Sequence, residues 1–203
     1  MPDRVGLDTH GTTSLWGIAT RAQACKDHRF QNLYRLLDAN LLLDCWDGLN
    51  KQAASGVDGV AATAYGQEPV ANIQDLVERL KTKRYRTKLV RRCYIPKDNG
   101  GERPLGIPAL EDKLVQMACA KILGAIYETD FLPVSYGYRP GMGAKDAVSD
   151  LGFNLQYGRF GYVVEADIKG YFDNIDHDWL LQMLSLRIDD KAFLSGLPHL
   201  NKG

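Results

Sequence analysis

A chain of 203 residues can bury a sizeable core, and its 45% hydrophobic and 25% charged content is that of an ordinary globular protein. A formal net charge of zero decides nothing by itself, but no apolar run approaches the ~20 residues of a membrane-spanning helix, so no membrane partner is expected. The first residues, Met1-Pro2-Asp3-Arg4-Val5-Gly6, lack the charged-then-apolar layout of a signal peptide, and Cys25, Cys45, Cys93 and Cys119 form no CxxC pair. Free thiols in a reducing, cytoplasmic setting are the reading, rather than disulfides or zinc.

In chain order, residues 1–28 are an extension without a sustained period, loose over its first dozen positions. Residues 30–54 read as one helix or two, with Leu33, Leu36, Leu37, Leu41, Leu43 and Trp46 on the apolar face, ended by Gly56 and Gly59. Residues 72–85 form a second amphipathic helix around Ile73, Leu76, Val77 and Leu80. From Leu89 to Ile95 the period drops to 2, which marks a strand. Asp98-Asn99-Gly100-Gly101 is a turn signal, and residues 102–107 return as the partner strand. Residues 110–127 are a long apolar helix with Glu111 and Asp112 at its positive end. A loop at 129–143 precedes another helix over 144–157. Residues 160–168 are nearly all apolar and read as a central strand covered on both faces. Asp176 is placed to cap a helix over 177–186, and Asp189-Asp190 reads as the cap of the next helix.

Charge is unevenly distributed. Between Arg79 and Lys97 lie nine basic residues and no acidic one, leaving 16 basic against 25 acidic residues elsewhere. One basic face on an acidic body is the footprint of a phosphate-backbone binder, with Arg84, Arg86, Arg91 and Arg92 as candidate RNA contacts. A solvated helix end followed by an exposed strand explains the same run equally well.

Two constellations carry candidate chemistry. In the first, Asp167 stands at the end of the apolar 160–168 run, Gly170 offers a sharp turn with exposed N–H groups, and Phe172 follows five residues after Asp167. Metal ligand, phosphate-binding turn and aromatic wall are the parts of a nucleotidyl-transfer site, although an Asp at a strand end also serves as a turn or cap residue. In the second, Lys97 and Arg103 flank a Gly-rich hairpin tip, where two cations can clamp a triphosphate or simply keep an edge soluble.

Four blocks in order resemble those of bacterial group II intron reverse transcriptase/maturases. They are Ala54-Ser55-Gly56-Val57-Asp58-Gly59, the IPK…RPLGIPALEDK run from Ile95 to Lys113, Ser135-Tyr136-Gly137-Tyr138-Arg139-Pro140-Gly141, and Glu165 to Trp179. The resemblance implies an α/β (α+β) right-hand polymerase fold: helix-rich fingers with a β-hairpin over 29–158, the start of a palm over 159–193, no thumb, and an atypical tail at 194–203. It implies RNA-directed DNA synthesis by a two-metal mechanism with Mg2+, in which Asp167 is the first catalytic aspartate and bridges both ions while the Ile168 carbonyl completes the second ion's shell. Lys97, Arg103 and the backbone of Gly170 and Tyr171 are implied to grip the incoming triphosphate. Phe172 is implied to exclude a 2′-hydroxyl, a role compatible with packing in the palm core. Implied partners are an RNA template, intron RNA, a DNA primer and deoxynucleoside triphosphates, with a homodimer as one assembly.

The pattern departs from that family in one respect. An aromatic-x-Asp-Asp turn and the Pro-Gln-Gly segment before it do not occur in these 203 residues. Gly196 and Pro198 interrupt the helix expected after Phe193, as an early stop, a frameshift or an engineered end produces. The chain is accordingly expected to be inactive alone. Three readings stay open: a catalytically incomplete polymerase, a non-catalytic RNA-binding module, and an enzyme completed by a separate chain.

Overall fold

The computed structural model describes residues 14–96, 100–171 and 174–197. Helix α1 (Leu15–Ala24) opens where the Ser14 hydroxyl accepts the Gly17 N–H, satisfying one of the first turn's orphan donors. Patterning does not reveal this helix, because only Ile18 and Ala22 of it are buried. The helix expected over 30–54 is a 3-10 turn at Leu33–Leu36 followed by α2 (Ala39–Gly48). Asp38 makes the break: its carboxylate accepts the Leu41 N–H and caps α2.

After the short α3 (Ala62–Tyr65), α4 (Pro69–Lys81) starts earlier than expected, since Pro69 occupies the first turn, where a missing N–H costs nothing. It stops at Lys81 because Lys83 takes a left-handed φ of 56°. Strands β1 (Arg91–Pro96) and β2 (Glu102–Ile107) pair antiparallel, with Arg91 opposite Ile107 and Pro96 opposite Glu102. Helices α5 (Leu110–Tyr127) and α6 (Ala144–Tyr157) have the expected bounds. Helix α7 (His177–Ser185) is capped by the Asp176 carboxylate on the Trp179 N–H, and α8 (Lys191–Gly196) follows.

The core is built on α5, which packs against α1 and α2, while α2 also packs on α4. Burial of Leu114, Ala118, Ile122 and Ile126 on α5 and of Ile73, Leu76 and Leu80 on α4 drives this association. Ile188 and Phe193 join the core from the other end of the chain. They are held there by a bridge in which the Phe30 N–H donates to the Arg187 carbonyl and the Asp189 N–H to the Phe30 carbonyl.

Residues 160–168 do not form the expected covered strand. They run without a ladder partner, and Phe160, Val163 and Ile168 are exposed, with Tyr162 at 94% and Val164 at 89%. A strand is held by inter-strand hydrogen bonds, and no described segment offers them here, since β1 and β2 form the one sheet among the described residues. Helix α6 buries none of its residues, leaving Val148, Phe153 and Tyr157 in water, and Trp179 and Met183 of α7 are likewise exposed. The described chain is therefore a helical core with a small antiparallel hairpin, followed by a stretch over 144–185 in which no described residue is buried. No described helix is long and apolar enough to cross a membrane, and the four cysteines are free.

Candidate active site

Two of the sequence blocks and the basic segment are tied together around the base of the hairpin. Gly56 lies so close to the turn before α5 that a Cβ there would sit 2.5 Å from the Ala109 Cα and 2.7 Å from the Pro108 carbonyl carbon. Only glycine allows that approach. Lys113 Nζ donates to the Ala54 carbonyl at 2.7 Å, and Lys88 Nζ reaches Asp58 Oδ2 at 2.9 Å. Burial alone raises the Asp58 pKa, but the Lys88 hydrogen bond, the Val60 N–H and the Lys88 charge together hold it below the usual carboxylate value.

Asp112, read from sequence as a helix-dipole residue, is 3% exposed. It accepts the Tyr85 hydroxyl and, at 3.0 Å, the Lys88 N–H. Burial first, then the hydrogen bond to Asp112, pushes the Tyr85 phenol well above its ordinary pKa, so it stays a neutral donor. Arg79 bridges Asp75 at 2.7 Å and Glu111 at 2.6 Å. This network pins the basic segment to α5, and neither Asp58 nor Asp112 was singled out for it from sequence. Asp112 sits on the helical face of Val115 and Cys119, both buried, and that apolar company is the signal that an acidic residue there is a core acceptor.

Beyond this base, the candidate residues separate. Arg103 stands opposite Ile95 on the exposed hairpin, and Lys97 lies outside the described residues. Paired residues share a face, so Arg91 lies with Cys93, Ile95 and Arg103 on one side while Arg92 lies with Tyr94 on the other. The four candidate RNA-contacting arginines thus do not present one face of the hairpin. Arg84 Nε donates to the Thr82 hydroxyl, and Arg86 Nη1 donates to the Lys83 and Tyr85 carbonyls. None of Arg84, Arg86, Arg91 and Arg92 is in an ion pair with a described residue.

The Asp167 carboxylate is exposed at the end of the extended segment, with no hydrogen bond or ion pair to a described residue. Gly170 takes φ 62°, and its carbonyl accepts the Asn174 side-chain amide at 2.7 Å, closing a tight turn. Ile168 and Tyr171 are exposed, and Phe172 lies outside the described residues. Among the described residues no three His, Cys, Asp or Glu side chains gather where they can hold a metal ion. One carboxylate and the Ile168 carbonyl fit a single anchoring point for Mg2+, which keeps several waters and takes one or two carboxylates plus substrate phosphates, but not a two-ion site.

Asp189 and Asp190 do not supply the difference. Asp190 accepts the Tyr34 N–H at 2.9 Å and the Phe193 N–H at 3.1 Å, capping two elements at once, while Asp189 accepts from Gln31. Arg139 of the third block is a loop clamp, donating to Glu128 at 2.7 Å and to the Ser135 and Leu132 carbonyls.

The chain matches the family model described as reverse transcriptase (RNA-dependent DNA polymerase) over residues 95–195. It is 36% identical over 178 residues to the group II intron-encoded protein LtrA of Lactococcus lactis subsp. cremoris, covering 85% of this chain and 29% of that protein. It is 38% identical over 143 residues to protein YkfC of Escherichia coli K12, covering 69% and 38% respectively. A third relative, an uncharacterized 91 kDa protein in the cob intron of Schizosaccharomyces pombe, is 32% identical over 166 residues, 81% of this chain and 20% of that protein. The chain therefore spans well under half the length of the curated relatives it matches.

Proposed function

The chain belongs to the reverse transcriptase family, of the group II intron-encoded kind, and from that premise we propose that it supplies the nucleotide-gripping part and the first metal-binding carboxylate of an RNA-directed DNA polymerase. Residues 29–158 act as fingers and residues 159–193 as the opening of the palm in a right-hand fold. Arg103 and Lys97 hold the triphosphate of the incoming deoxynucleotide from the hairpin, and the N–H groups of the Gly170 turn receive its phosphates. Phe172 stands under the sugar. Asp167, with the Ile168 carbonyl, would hold Mg2+, and the two-ion site completed by further carboxylates would favour ionisation of the primer 3′-hydroxyl and offset charge on the leaving pyrophosphate. The RNA template, the DNA primer and intron RNA lie along the basic segment.

The observation that carries this reading is the Asp167–Gly170 pair. A carboxylate without a partner among the described residues is followed by a glycine at φ 62°, inside the stretch that matches the family model. An exposed carboxylate that caps nothing and pairs with nothing is available to a cation. These 203 residues hold Asp167 but not the aromatic-x-Asp-Asp pair that the resemblance implies beside it, and we propose that they do not extend a primer by themselves. The apolar, ladder-free 160–168 segment agrees with that proposal, because a metal ligand on an unpaired strand is not held in fixed geometry. The test is primer extension on an RNA template with Mg2+, by this chain and by a chimera in which the aligned stretch replaces its counterpart in the Lactococcus relative. Extension by the chimera alone supports the proposal; a folded, inactive chimera refutes it.

A non-catalytic RNA-binding module is the second reading. It is favoured by Arg84, Arg86, Arg91 and Arg92, which have no ion-pair partner among the described residues, beside an Arg79 and a Lys88 that are paired. RNA affinity that falls steeply with salt while no chimera polymerises supports it.

A further inference from the structure

Between the end of α4, the loop after it, α5 and α8 lies a cavity of about 700 Å3, within the range of pockets that enclose small organic groups. Tyr85, Val115 and Cys119 beside the hairpin base and Arg86 of the basic segment are among its lining. Its floor is apolar: Leu37, Leu80, Val115, Cys119 and Phe193 are each buried. Burial, followed by the neighbouring Cys45, pushes the Cys119 thiol up to about 12, so the floor carries no charge at neutral pH. Tyr34 adds an aromatic wall, its hydroxyl already committed to the Leu80 carbonyl at 3.0 Å.

The lining is different on the loop side. Lys83 and Arg86 also line the cavity, and neither has an ion-pair partner among the described residues. The two hydrogen bonds from Arg86 Nη1 to the Lys83 and Tyr85 carbonyls fix its guanidinium on that loop, and the basic segment continues from there through Lys88 to Arg91. An apolar, aromatic recess bordered by two cations suits a flat aromatic ring with a stackable face tied to an anion, and a nucleotide combines the two.

We propose that this cavity takes one unstacked base of single-stranded RNA, with its flanking phosphates on Lys83 and Arg86. A base inside a duplex is stacked between neighbours and cannot enter, whereas a single strand splays its bases and sets them against aromatic side chains. The proposal rests on the reading of the chain as RNA-binding and adds to it a selectivity for unpaired bases.

The test measures fluorescence anisotropy of the full 203-residue chain with two labelled oligonucleotides of equal length and charge, an oligouridylate and its abasic counterpart. The oligouridylate is expected to bind on the order of 10-fold tighter, the scale of one base–aromatic stack. Ser195→Trp, an exposed change at a cavity-lining position on α8, should abolish that preference while leaving abasic affinity and the thermal melt unchanged. Lys83→Gln with Arg86→Gln should weaken both oligonucleotides and reduce the salt dependence. Equal binding of the two oligonucleotides by the unmodified chain overturns the proposal, as does a preference that survives Ser195→Trp. Binding of neither oligonucleotide overturns the RNA-binding reading itself, and the cavity's role with it.

Discussion

Asp112→Ala removes the acceptor that holds the basic segment on α5. The carboxylate is buried at 3% exposure and receives two donors, the Tyr85 hydroxyl and the Lys88 N–H. A hydrogen bond to a charged group contributes about 1.5–3 kcal/mol, and a buried donor left without a partner costs about 1–3 kcal/mol. Two stranded donors therefore put the loss at about 3–5 kcal/mol, a large share of the stability of a domain this size. Tyr85→Phe removes one donor and its need together, and should cost only about 1–2 kcal/mol. Because the two groups share one bond, the double variant should be less damaged than the sum, with a coupling of at least ~1 kcal/mol. Urea unfolding followed by far-ultraviolet circular dichroism gives all three values. A loss below ~1 kcal/mol for Asp112→Ala, or additive single effects, refutes the assignment of Asp112 as the central acceptor.

Further expectations follow from the same geometry. Asp58 has a folded pKa below its ordinary 3.8, so its stabilisation is complete above that value and is lost as pH falls through the folded one. Asp58→Asn should cost about 1 kcal/mol near neutrality; its gap to the unmodified chain should close in acid, and a pH-independent gap refutes the linkage. Replacing Arg84, Arg86, Arg91 and Arg92 by Gln should flatten the salt dependence of RNA binding, and an unchanged slope moves the RNA surface elsewhere. In the active chimera, Phe172→Ala should raise ribonucleotide over deoxynucleotide incorporation on the order of 10-fold, since ~1.4 kcal/mol of lost clash gives that ratio. The ratio of kcat/KM values is the readout, and an unchanged ratio with lower activity reduces Phe172 to a packing residue.

Elements specified by neighbouring residues were legible in the sequence. Helix α5 announced itself through its acidic first turn and apolar run, β2 through its turn residues, and α7 and α8 through the caps Asp176 and Asp190. What depended on distant partners was not legible. The Phe30–Ile188 bridge joins the two ends of the described chain, and nothing local signals it. The break at Asp38 turns on one capping carboxylate inside an otherwise apolar run. Residues 160–168 have the composition of a central strand, yet composition supplies no ladder, and the described residues offer none. The candidate site shows the same division. The Gly170 turn was readable from local chemistry and the role of Asp167 rests on the family resemblance, whereas the Asp58–Lys88 and Asp112–Tyr85 links that brace the hairpin base needed the fold to bring them together.

Primer extension by the chimera with and without Asp167→Asn tests the central claim most directly. The substitution keeps the side chain's size and removes the charge that would hold Mg2+, so the account expects extension to fall by several orders of magnitude. Binding of the RNA–DNA primer-template should stay unchanged, because it rests on the basic segment. A folded Asp167→Asn chimera that extends the primer at the unmodified rate contradicts the assignment of Asp167 as a metal-binding carboxylate, and with it the account of this chain as part of a polymerase site.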